Sequence, residues 1–136
     1  MSSDGLKIKP LPSAAAAELE GVARWLQSEK ADFKLIDKTN ICHNKEGLRE
    51  VMYNLINELA AKVNFPSKEN LVSAIHYEEP AVIPVEVDWV VYLIPIHALG
   101  GTILVDGQQL NLGHYCHLEG DVRVRGKFFA VLLLSR

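Results

Sequence analysis

Hydrophobic positions change period along this chain near Pro80. Before it, Ala15, Leu19, Val22, Ala23 and Leu26 recur at helical spacing, behind Ser13 as a plausible N-cap and a run of alanines, so a helix is predicted over about 14–29. Residues 31–43 carry no helical period, although Phe33 and Leu35 alternate with charge as in a short strand. Leu48, Val51, Met52, Leu55, Ile56, Leu59 and Val63 then form one apolar stripe. With Asn44 as cap and Glu46 in the first turn, a second helix is predicted from there to about Asn64, stopped by Phe65-Pro66. Ser67 is read as the cap of a third helix over about 68–78, with Leu71, Val72 and Ile75 facing inward.

Beyond Pro80 the period becomes two. Val85, Val87, Trp89, Val91 and Leu93 alternate with Glu86, Asp88, Val90, Tyr92 and Ile94, and Gly100-Gly101 ends that strand. Thr102 to Val105 and Gln108 to Leu112 flank Asp106-Gly107, the dipeptide of a type I′ hairpin. A strand is expected over about 114–125, with an interruption at Glu119-Gly120, and a last one from Phe128 to Leu134. Short turns between successive strands imply antiparallel pairing. The expected fold class is α+β in one domain, 1–136. Two to three N-terminal helices (about 13–79) pack on a C-terminal antiparallel sheet of four to five strands, or a small open barrel (about 81–135).

Composition narrows the function classes. The chain is 49% hydrophobic with formal charge −3, which disfavours a general electrostatic hold on nucleic acid. Its longest apolar runs, Trp89 to Ile96 and Phe128 to Leu134, are strand-sized and too short to span a bilayer as helices, and residues 1–12 lack the apolar run of a signal peptide. Two cysteines make no disulfide framework. A cytoplasmic protein with reduced thiols is therefore expected.

Phosphate-loop, nucleophile-elbow and C-x-x-C signatures are absent. His114 and Cys116 share one face of a strand, and Cys42 and His43 precede the second helix. Together they are the candidate ligand set for a zinc ion, although their spacing matches no standard zinc motif. Cys116 with His43 is also a candidate nucleophile pair. His97 sits where an apolar strand meets a loop, a position suited to chemistry. From Leu35 to His97, a helix pair followed by a histidine soon after an apolar-proline dipeptide resembles the phosphoryl-accepting domains of sugar phosphotransferase systems. That resemblance implies a phosphoryl-accepting His97. Ile96 separates Pro95 from His97, however, and the chain continues in strands where that family has helices. His76 and Glu79 lie one turn apart on the expected third helix. Glu78-Glu79 would face the negative end of its dipole, an arrangement that calls for a basic partner if not for solvent. Glu119, Asp121, Arg123, Arg125 and Lys127 share one parity, as a charged outward stripe.

These features favour a non-catalytic protein–protein interaction or assembly protein using an apolar β-sheet surface, with no cofactor. The alternatives are a small metal- or ligand-binding domain on His114, Cys116, Cys42 and His43, or a phosphoryl-accepting or enzymatic domain on His97. Val90 to Ile96 and Phe128 to Leu134 are apolar on both faces. Four or five strands and one helical layer leave part of that surface uncovered, so a homodimer is expected, with no nucleic acid or membrane partner.

Overall fold

The computed structural model describes residues 7–37, 39–62 and 70–135. Strands dominate. In chain order the elements are β1 (Lys7–Pro10), α1 (Ser13–Ala16), α2 (Leu19–Leu26), a 3-10 turn (Glu29–Ala31), β2 (Phe33–Ile36), β3 (Thr39–Cys42), α3 (Lys45–Lys62), β4 (Asn70–Tyr77), β5 (Ala81–Ile83), β6 (Val90–Ala98), β7 (Leu104–Val105), β8 (Gln108–Gln109), β9 (His114–Leu118), β10 (Val122–Arg125) and β11 (Phe128–Ser135). All pairings are antiparallel. A seven-stranded sheet runs β1-β9-β6-β11-β4-β3-β2, and a four-stranded sheet runs β5-β10-β7-β8.

This corrects the expected architecture of N-terminal helices on one sheet of four to five strands. A strand stands at Lys7–Pro10, ahead of the first helix, and among the described residues the helices are a minor layer. The largest change is at residues 70–77, where a central strand stands in place of the third helix. Leu71, Val72 and Ile75 fit either period; in the strand Val72 and Ala74 are buried on one face and Ile75 and Tyr77 on the other, while Leu71, expected to face inward, is 48% exposed. Ser67, its expected cap, lies outside the described residues. The helix expected over 14–29 is split. Pro12, not Ser13, holds the cap position, without a side-chain cap bond. At the break the Glu18 amide donates to Ala15 one residue early, so α1 leans on α3 while α2 reaches β6. Val85 and Val87 precede the strand that begins at Val90, and Val87 is 99% exposed. The stretch over 114–125 divides at Glu119-Gly120 between the two sheets.

Two elements match expectation closely. Asn44 Oδ1 accepts from the Gly47 amide at 3.0 Å and caps α3, whose Leu48, Met52, Leu55 and Leu59 are fully buried. The expected end near Asn64 falls outside the described residues. Asp106 and Gly107 have φ of 47° and 80°, closing the β7–β8 hairpin between Val105 and Gln108.

Two cores result, one on each face of the large sheet. Helices α1 to α3 cover one face over Leu48, Met52, Leu55, Leu59, Ile94, Val131 and Leu133. The small sheet covers the other over Leu93, Val105, Cys116, Leu118, Val124, Phe128 and Leu132. The doubly apolar strands β6 and β11 are thus covered within the chain, β11 at the centre of the seven. Interior strand β6 also contains Pro95. Proline cannot donate to a ladder, and the register slips there by one residue, pairing Ala130 with Pro95 and Phe129 with His97. Ile96 is the extra residue, and the bulge leaves both Ile96 and His97 on the helix side of the sheet.

Candidate docking edge

Both ends of the large sheet are edges, and they differ in character. β1 reads Lys-Ile-Lys-Pro, with Lys7 paired to Glu119 at 2.8 Å. Lysines and a proline are the usual means of blunting an edge. β2 reads Phe-Lys-Leu-Ile. Leu35 is 68% exposed and Ile36 43%. No described strand pairs with the outer side of β2.

Local chemistry holds this edge in place. Asp32 enters β2 with φ 53°, and Asp37, at φ 48°, opens the turn into β3. The Cys42 thiol donates to the Ala31 carbonyl at 2.9 Å, and Asn44 Nδ2 donates to the Lys30 carbonyl at 2.8 Å, tying the hairpin base to α3. The His43 amide donates to the Asp32 carbonyl. Alternation along an antiparallel ladder then makes Lys34–Ile41 and Ile36–Thr39 the hydrogen-bonded pairs. The amides and carbonyls of Phe33 and Leu35 therefore point away from β3, toward the free edge.

On the helix-side face, Leu35, Asn40, His76, Phe129 and His97 form one transverse row across β2, β3, β4, β11 and β6. His76 stacks on Phe129 with centroids 4.3 Å apart and planes 14° apart, while Phe33 meets both rings edge-on. Glu78 Oε1 accepts from Asn40 Nδ2 at 3.2 Å and lies 3.7 Å from His76 Nδ1. His76 Nε2 is buried without a hydrogen-bond partner among the described residues. A hollow of about 740 Å³ opens here between Leu35, Asn40, His76, Glu78, Glu79 and Lys127. A second, of about 580 Å³, continues past His76 to Phe33, Glu29, Asp32 and Leu99.

The four candidate metal ligands do not converge. Cys42 lies in the helix-side core and Cys116 in the inter-sheet core. Their strands, β3 and β9, are four positions apart, roughly 19 Å at the usual strand spacing. His43 is exposed after β3, and His114 opens β9 with its Nδ1 buried and unpartnered among the described residues. No cluster of three or more His, Cys, Asp or Glu side chains is placed to hold a metal among the described residues. Both cysteines are free thiols. Burial pushes Cys42 upward and Cys116 to about 11, which suits inert thiols rather than nucleophiles. His97 is half-buried at the end of β6, its ring 6.4 Å from that of Phe129.

His76 and Glu79 lie on and just beyond β4, and the carboxylate beside His76 is that of Glu78. With no helix there, Glu78 and Glu79 face no unfavourable dipole. Arg123 and Arg125 point outward against buried Val122 and Val124 as expected, but the switch between sheets takes Asp121 out of that stripe, and its Oδ1 accepts from the Val85 amide at 2.7 Å. The sequence pattern does not reveal the edge itself. Its one signal is the alternation of Phe33 and Leu35 with charge. No helix among the described residues is long and apolar enough to cross a membrane. No protein-family model matches the chain, and no curated protein sequence matches it.

Proposed function

We propose that this protein is a non-catalytic interaction module that accepts an extended segment of a partner protein along β2. The observation that carries the reading is the apolar edge at Phe33 and Leu35, with no described strand on its outer side, in a molecule whose other large-sheet edge is blunted. An added strand completes the outward backbone groups with hydrogen bonds worth about 0.5–1.5 kcal/mol each, and covering Leu35 adds up to about 2 kcal/mol. Association costs at least about 4 kcal/mol, so backbone pairing over four residues gives weak binding that side-chain contacts must reinforce. The apolar faces of β6 and β11 play no part, since helices and the small sheet bury them. That internal cover also answers the surface argument for a homodimer. A second copy remains the alternative occupant of the edge.

Selection from a library of random extended peptides tests the reading. Peptides enriched on the native protein are expected to lose binding to Leu35→Pro. The Leu35 amide points away from β3, so proline there removes a donor from the docking edge and leaves the β2–β3 ladder whole. Peptides that bind Leu35→Pro as well as the native protein would place the interaction on another surface.

A further inference from the structure

We propose that the segment accepted by β2 is basic, carrying lysine or arginine at alternate positions, an inference that rests on the edge reading above. Residues of an added strand directly opposite Phe33 and Leu35 would point their side chains to the helix side, over the two hollows. Among the described residues those hollows are lined by four carboxylates, Glu29, Asp32, Glu78 and Glu79, against the single lysine Lys127. Asn40 draws the Glu78 carboxylate back over β3. Two strand spacings, roughly 10 Å, then separate it from the backbone of a strand added beside β2. A long cationic side chain can cross that distance with its methylenes on exposed Leu35 and its charge at Glu78 and Glu79. At the other end, the position opposite Phe33 lies beside Glu29, and beside Asp32, whose carboxylate also stands 3.9 Å from Lys34 Nζ, next to an aromatic ring that favours a cation.

The intervening position falls on the opposite face of the sheet, beside Lys34 and Ile36, where a cation is unfavourable and an uncharged residue fits. The pattern is therefore basic–uncharged–basic. The same charges argue against a second copy. Antiparallel pairing of β2 with itself about Lys34 sets that lysine opposite its equivalent and brings a second set of acidic hollows to the same edge.

A short capped peptide alternating arginine and threonine tests this against the same peptide with glutamate or glutamine in place of arginine. Only the arginine peptide is expected to saturate the native protein, with affinity falling as salt rises. Combined Glu78→Gln and Glu79→Gln should weaken it roughly tenfold, and Leu35→Pro should abolish it. Binding should also slow hydrogen exchange at the Phe33 and Leu35 amides. Should Leu35→Pro fail to melt cooperatively, Leu35→Lys, at the same exposed position, is expected to weaken the arginine peptide by placing a cation at the hollow. If the glutamine peptide binds as tightly and Leu35→Pro abolishes both, the edge reading stands and the basic partner is overturned. If the arginine peptide binds Leu35→Pro unchanged, it binds by charge elsewhere and both readings fall. No saturable binding up to about 1 mM overturns the basic partner, while the library selection judges the edge separately. Sedimentation is expected to show a 15.1 kDa species. A dimer dissolved by Leu35→Pro would make the occupant a second copy and overturn the inference.

Discussion

Leu55 is fully buried on α3 against the large sheet, and truncating it to alanine leaves a cavity that a packed core fills only in part. Leu55→Ala is expected to cost about 2–5 kcal/mol, read as a lowered midpoint in denaturant. Two turn glycines should respond unequally. Gly107 has φ 80° with open space where a Cβ would stand, so Gly107→Val carries backbone strain of about 1 kcal/mol or more. Gly126 has φ 118°, and a Cβ there would stand 2.8 Å from the Thr102 carbonyl oxygen, so thermal melts should rank Gly126→Ala below Gly107→Ala. Cys116 links stability to alkaline pH. Burial raises its thiol from 9.0 to about 11 in the folded chain, so between those values the unfolded chain releases a proton that the folded chain retains. Stability from this group is complete below pH 9 and is lost as pH climbs toward 11. Cys116→Ala should flatten that part of the decline in a melting series, the remainder including buried Tyr77, whose hydroxyl is also raised.

Among the elements, those whose residues carried their own punctuation were legible. Asn44 with the apolar stripe marked α3, and Asp106-Gly107 marked the β7–β8 hairpin, because capping and turn chemistry act within a few residues. β4 was not legible. Its side chains are satisfied only by helices on one face and the small sheet on the other, and nothing local distinguishes that from a buried helical turn. The β2–β3 hairpin was half legible. Phe33 and Leu35 gave the alternation, but which edge stays unpaired depends on strand order across the whole sheet. The β2–β3 pairing makes a prediction at this scale. Lys34→Pro removes an amide that faces Ile41 in the ladder and should lower the melting midpoint more than Leu35→Pro, whose amide faces outward.

At the scale of the whole molecule, the expectation of one sheet failed through counting. The expected four to five strands lie beyond Pro80 and so leave out β1, β3, β4 and the short strand marked at Phe33 and Leu35, while β5, β7, β8 and β10 separate into a sheet of their own. With eleven strands among the described residues, the helices on one side and the small sheet on the other cover both faces of β6 and β11 within the chain. The scattered histidines and cysteines were separated by the same topology, since alternate faces and intervening strands divide residues that looked like a set in one dimension.

The place of β11 sets a schedule. It lies between β6 and β4, and both of those strands are translated before it. Until Phe128–Ser135 is made, no strand joins β4-β3-β2 to β1-β9-β6, and the apolar strands β4 and β6 each lack a neighbour. The seven-stranded order is therefore closed by β11, through contacts distant in sequence, which form slowly.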